Sequence, residues 1–232
     1  MRICLLLFIL QITLTAVFAQ ETNNATDKDA AYTLTITNRG EKIVQTLEIS
    51  DSSKAKRVTN IIAGQYRNLS TVHAQRDDQI KLIKEKDLSK EISDSQIKAV
   101  QEINDKKLQG LHNSFLTALS NELSQEQVTK VKDGMTYNVL NVTYTAYTGM
   151  IPSLTKKQKD QIMNWLVEAR EHAMDAESSE KKHAWFGKYK GKINNYLSAE
   201  GYDLKKEREA WQHRIKETET AKKQVNSADN IN

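Results

Sequence analysis

The chain has 232 residues with one proline, eight glycines, and 34 Lys and Arg against 30 Asp and Glu. So little punctuation, in a composition rich in Lys, Glu, Gln, Ala and Leu, favours long helices over short strands and hairpins, and a net charge of +4 predicts solubility without naming a partner. A single cysteine excludes disulfides within the chain and zinc held by thiolates.

At the N-terminus Arg2 precedes an apolar run from Ile3 to Val17, and Val17-Phe18-Ala19 places small or aliphatic residues where a signal peptidase reads. Residues 1–19 are read as a secretory signal peptide, too short in its apolar run to be a comfortable bilayer span. Cys4 leaves with it, and cleavage before Gln20 yields a periplasmic, cysteine-free chain with no membrane attachment. With Arg2 removed, 33 Lys and Arg face 30 Asp and Glu, near +3. Residues 20–29 are polar and small and read as a flexible leader. Residues 30–221 read as a single helical domain, with a hairpin part over 30–122 and a bundle part over 123–221, and residues 222–232 as a frayed tail.

The first helix is expected over Ala30–Leu47, with Ile36, Ile43, Val44 and Leu47 on one face. Tyr32–Thr37 also alternates like a strand, but no nearby run could pair with it. Four pentads open on a capping hydroxyl: Ile49-Ser50-Asp51-Ser52-Ser53, Ile92-Ser93-Asp94-Ser95-Gln96, Leu123-Ser124-Gln125-Glu126-Gln127 and Leu154-Thr155-Lys156-Lys157-Gln158. Each predicts a helix start, with Ser or Thr accepting from the first turn and, in the last three, Gln reaching back. From Asp51 a three-four apolar spacing runs to about Lys86, interrupted by Gln65 and Arg76, and from Asp94 a second such run reaches Leu119. The two predict an antiparallel pair turning at Glu85–Lys90. A short helix from Gln125 is expected to end near Asp133-Gly134, a C-cap signal. Val139–Ala146 suits helix or strand, and helices follow over Lys156–Met174, Glu180–Ser198 and Tyr202–Ala221, the last two meeting at Glu200-Gly201. The expected fold class is all-α, an antiparallel long helical hairpin plus a C-terminal multi-helix bundle.

The sequence offers one unusual chemical stretch. Lys181–Tyr196 carries five lysines (Lys181, Lys182, Lys188, Lys190, Lys192) and no acid, interleaved with His183, Trp185, Phe186, Tyr189 and Tyr196, with Gly187 and Gly191 four apart. Rings bordered by ammonium groups suit a sugar or an anionic chain, since stacking tolerates varied rings and the cations pair with carboxylate or sulfate. The competing reading makes Phe186, Tyr189, Ile193 and Tyr196 a core stripe, lets the glycines admit a neighbouring helix, and leaves the lysines solvated. The candidate ligand-binding residues are His183, Trp185, Lys188, Tyr189, Lys192 and Tyr196, with Arg170.

Paired acids such as Asp160 with Glu168 and Glu171, or Asp203 with Glu207, are expected by chance in so charged a chain, most as surface i,i+4 partners like Glu168 with His172. His73, His112, His172, His183 and His213 are scattered without metal-ligand spacing, so neither metal nor cofactor is expected. Phosphate-loop, GxSxG and cysteine-nucleophile signatures are missing. Export and modest charge argue against nucleic acid. The sequons at Asn24, Asn68 and Asn141 matter only in a eukaryotic secretory pathway.

Two resemblances add to this. Leu123-Ser124-x-x-Gln127 and Leu154-Thr155-x-x-Gln158 look like the LTxxQ repeats of small periplasmic stress proteins that include ATP-independent chaperones, although the motif is mostly a capping box. Lys132-Asp133-Gly134-Met135-Thr136-Tyr137, Met150-Ile151-Pro152-Ser153-Leu154-Thr155, Glu168-Ala169-Arg170-Glu171-His172-Ala173-Met174-Asp175, and the run from His183 to Gly191 through Asn194-Asn195-Tyr196-Leu197 to Gly201-Tyr202-Asp203-Leu204, resemble the family of domain-of-unknown-function 3826. That family comprises secreted proteins of Bacteroidetes-type bacteria. The resemblance spans nearly the whole mature chain. It carries no activity residue by residue, and implies an accessory component of loci that degrade acidic plant or algal polysaccharides, pectin-like or ulvan-like. The expected function is therefore a periplasmic accessory protein of acidic polysaccharide utilisation that binds an oligosaccharide or another periplasmic protein. Its rivals are a lyase or hydrolase of uronic-acid or sulfated glycans and a chaperone-like holdase, so whether the chain is an enzyme stays open.

Overall fold

The computed structural model describes the backbone of residues 27–229 and side chains as far as residue 220. The expected signal peptide and cleavage site, the expected leader up to Thr26 and residues 230–232 lie outside the described residues. Among the described residues the chain is all-α, with eight helices and no strand. They are α1 (27–45), α2 (Ser52–Lys84), α3 (Lys90–Ser120), α4 (Gln125–Met135), α5 (Val139–Met150), α6 (Lys156–Met174), α7 (Ser179–Ala199) and α8 (Leu204–Asp229). The chain falls into two compact units, the first ending at Ser124 and the second beginning at Gln125. None of the described helices is long and apolar enough to cross a membrane.

In the first unit, α1 begins at residue 27, so the last residues assigned to the leader are helical. Asp29 accepts from Arg67 Nη1 at 2.8 Å, and Arg67 also reaches the Thr33 hydroxyl. The strand pattern of Tyr32–Thr37 resolves as helix, with Ile36, Ile43 and Val44 buried on one face; the helix ends at residue 45, two short of the expected Leu47, which is buried in the turn that follows. α2 and α3 are antiparallel mates, tied at their outer ends by Arg57, which donates from Nε and Nη2 to both carboxylate oxygens of Glu122. Two expected helix starts move. Asp51, not Ser50, caps α2, its Oδ1 accepting from Ser53 N–H and Lys54 N–H, because a carboxylate suits the positive end of a helix at least as well as a hydroxyl. Ser89 caps α3, so the pentad at Ser93 lies inside the helix; Ser89 meets the chain first and leaves Ser93 no free terminus to cap.

In the second unit, Thr155 opens α6 with a complete capping box, its hydroxyl accepting from Gln158 N–H while Gln158 Oε1 accepts from Thr155 N–H at 3.0 Å. The short helix ends one residue beyond the Asp133-Gly134 pair near which it was expected to end, and Gly134 is not its capping residue. α4 continues to Met135, and the left-handed backbone falls on Tyr137 and Asn138, both at φ 57°. Asn138 N–H donates to Asp133 O at 2.7 Å and Tyr137 N–H to Gly134 O at 3.3 Å, which satisfies the terminal carbonyls with Tyr137 where glycine is usual. α5 is helical throughout, α7 is capped by Ser178, and Gly201 at φ 95° reverses the chain into α8, which continues past Ala221. The core joins Leu140, Tyr147 and Met150 of α5, Ile162, Leu166, Ala169 and Ala173 of α6, and Phe186, Tyr189, Ile193 and Leu197 of α7. Each large apolar side chain so buried stabilises the unit by about 1.5–3 kcal/mol before entropy is counted.

Candidate functional site

The core stripe of α7 is Phe186, Tyr189, Ile193 and Leu197, at helical spacing. One flank beyond that stripe carries Trp185, Lys188, Lys192 and Tyr196, and the matching flank of α6 carries Trp165, Glu168 and His172. Where the two helices meet, these side chains form an aromatic and basic strip on the surface.

At one end of the strip His172 stacks on Trp185, with centroids 4.4 Å apart and planes 14° from parallel, and Lys188 Nζ stands 5.0 Å from the same indole. At the other end Trp165 meets Tyr196 edge to face at 5.3 Å, with Lys192 Nζ 4.8 Å from the Trp165 ring and 5.6 Å from Tyr189. Glu168 sits between, 4.0 Å from Lys192 Nζ. Burial, and secondarily Glu168, raises the Tyr189 phenol above its ordinary value; burial also raises Tyr196. Both rings therefore stay neutral donors at ordinary pH.

Five of the seven sequence candidates (Trp185, Lys188, Tyr189, Lys192 and Tyr196) share this strip, although Tyr189 is a core residue only 7% exposed and cannot serve as an open platform. Two do not join it. His183 is more than half a helical turn from Trp185; its ring stacks on Tyr137 at 5.5 Å and its Nδ1 bonds to Ser179 O. Arg170 is buried toward α4, where Nη1 donates to Asp133 Oδ1 at 2.8 Å and Nε and Nη2 donate to Glu171 Oε1, while Lys132 donates to Glu171 Oε2 and Asn141 to Asp133 Oδ2. Its charge is already matched.

Other expectations change too. Lys182 leaves the basic face: it is 6% exposed, and its ammonium donates to Ala173 O at 2.9 Å and Met174 O at 2.8 Å, closing the C-terminal end of α6. Gly187 and Gly191 admit no neighbouring helix, since a Cβ at either would meet nothing within 4 Å. Among the paired acids, Asp203 caps α8 and Asp160 pairs with Lys156 at 2.6 Å. Among the described residues no group of three or more His, Asp or Glu stands close enough to hold a metal ion.

Sequence reasoning overlooked Trp165 and gave Glu168 and His172 to each other. The signal was present, because Trp165, Glu168 and His172 at i, i+3 and i+7 lie on one helical flank. What could not be read was which helix meets that flank.

The fold and this geometry define an all-helical protein whose second unit displays an aromatic and basic surface strip. The chain belongs to the family described as Protein of unknown function (DUF3826), which residues 33–217 match. Comparison with curated proteins finds no match.

Proposed function

We propose that this chain is an exported, periplasmic accessory protein of acidic polysaccharide utilisation, and that the α6–α7 strip binds an acidic oligosaccharide. The observation that carries this is the placing of an ammonium group over each of two half-buried indoles, Lys188 over Trp185 and Lys192 over Trp165. At such a partly exposed site a cation–π contact is worth only about 0.5–1 kcal/mol. A uronate or sulfated ring can therefore slide onto the indole, its C–H face replacing the ammonium, while the displaced lysine takes the acid group as a charge-assisted partner. A neutral sugar gains the stacking without the ion pair.

The test is calorimetric titration with uronate, sulfated and neutral oligosaccharides at low and moderate salt. Acidic chains should bind, added salt should weaken them because exposed pairs are screened over about 10 Å at 0.1 M, and Lys188→Ala with Lys192→Ala should weaken them further at unchanged melting temperature. Equal affinity for neutral chains, or no binding at all, would reject the reading. Product formation from an acidic glycan would move the protein to the lyase or hydrolase class, and lyase and sulfatase genes beside its own would support the pathway.

A further inference from the structure

The two ends of the strip differ in electrostatic balance. Lys188 lies over Trp185 with no carboxylate at ion-pair distance among the described residues, and its other neighbour at that end, His172, is aromatic and carries no negative charge. Lys192 lies over Trp165 with the Glu168 carboxylate 4.0 Å from its ammonium, and both side chains of that pair are about half exposed, 50% and 52%. Tyr189, anchored in the core, lies beneath Lys192 and beside Glu168 and holds the middle of the strip. Trp165 and His172 are seven residues apart on one flank of α6, a rise of roughly 10.5 Å. The ends are thus separate contact points along a chain of rings.

Resting on the oligosaccharide reading above, we infer that the strip has two unlike subsites: Trp185–Lys188–His172 takes a ring bearing an acid group, and Trp165–Lys192–Glu168 takes an uncharged ring, with Glu168 as the specificity-determining residue that turns away a second acid. At the first subsite an incoming carboxylate meets an uncompensated cation. At the second it meets a cation already balanced and a carboxylate that repels it, so the Coulomb gain cancels and only stacking remains. The ligand class follows: glycans with isolated acidic rings among neutral ones rather than unbroken polyuronates.

Three tetrasaccharide probes test this: a neutral chain, the same chain with one terminal uronate, and a contiguous tetra-uronate, each titrated into the full secreted chain and into Glu168→Gln and Lys188→Ala. The single uronate should account for nearly all the gain over the neutral chain, and Lys188→Ala should erase that gain. Glu168→Gln keeps the side-chain shape and should raise the ratio of tetra-uronate to single-uronate affinity about fivefold, the worth of one unit charge at 4 Å in water. A wild type that binds the tetra-uronate about tenfold or more tighter than the single uronate, with that ratio unmoved in Glu168→Gln, would overturn the unlike subsites and leave the oligosaccharide reading standing. If none of the three probes binds, the oligosaccharide reading falls and takes this inference with it.

Discussion

Arg170 shows how a residue type that invites a ligand can be spent on structure. Its guanidinium is shared between Asp133 and Glu171, with Lys132 closing the far side of Glu171. Removing one member of such a buried set strands the others, which costs about 3–5 kcal/mol. Arg170→Ala should therefore lower the denaturant midpoint sharply, and the protein that remains folded should titrate acidic oligosaccharides as the wild type does. A loss of binding at native stability would return Arg170 to the site. Tyr137 is the opposite case, a half-exposed aromatic in left-handed backbone where glycine would sit without strain. Its partner across space is His183, and the Asp133-Gly134 pair had drawn attention to the wrong residue because the helix runs one turn-fraction further than glycine alone suggests.

At the scale of elements, α6 and α7 carry most of what matters. The capping box at Thr155 fixes where α6 begins and hence the phase of Trp165, Glu168 and His172 around it. Thr155→Ala should cost roughly 0.5–2 kcal/mol in urea unfolding; an unchanged midpoint would mean the box adds nothing. On α7 the two glycines have open space beside them and sit within a helix, where alanine is favoured by about 0.8–1 kcal/mol. Gly187→Ala and Gly191→Ala should each stabilise the protein by an amount of that order, read as a rise in melting temperature. Destabilisation would place a neighbour against them that the fold does not show. The helix starts were legible wherever a single hydroxyl had no rival, as at Thr155, and misplaced where another capping residue stood nearby, as with Asp51 beside Ser50 and Ser89 ahead of Ser93.

For the molecule as a whole, alkaline stability offers a test that spans the second unit's core. Burial pushes the Tyr147 phenol up to about 12, with Arg208 pulling slightly the other way, and its hydroxyl donates to Asn194 Oδ1 at 2.6 Å. Tyr189 and Tyr196 are raised as well. An unfolded chain ionises these phenols near pH 10 while the folded one holds their protons, so stability is intact below pH ~10 and declines toward pH ~12. Urea midpoints measured across that range should fall, with Tyr147→Phe flattening the fall; a flat profile in the unmodified chain would contradict the burial of these rings. The all-α class, the long α2–α3 pair and three of the four stripe positions of α7, Phe186, Tyr189 and Ile193, were determined by the sequence itself, because apolar spacing, scarce glycine and proline, and local caps act within a few residues of one another, whereas Leu197 rather than Tyr196 completes the stripe. Tertiary structure alone decided that Lys182 closes a helix end, that Arg170 is neutralised, that His183 leaves the strip, and that Trp165, Glu168 and His172 complete it. Those outcomes depend on which flank of one helix meets which flank of another, and residues such as Lys132 and Glu171 or Glu168 and Lys192 lie far enough apart along the chain that no local pattern encodes their meeting.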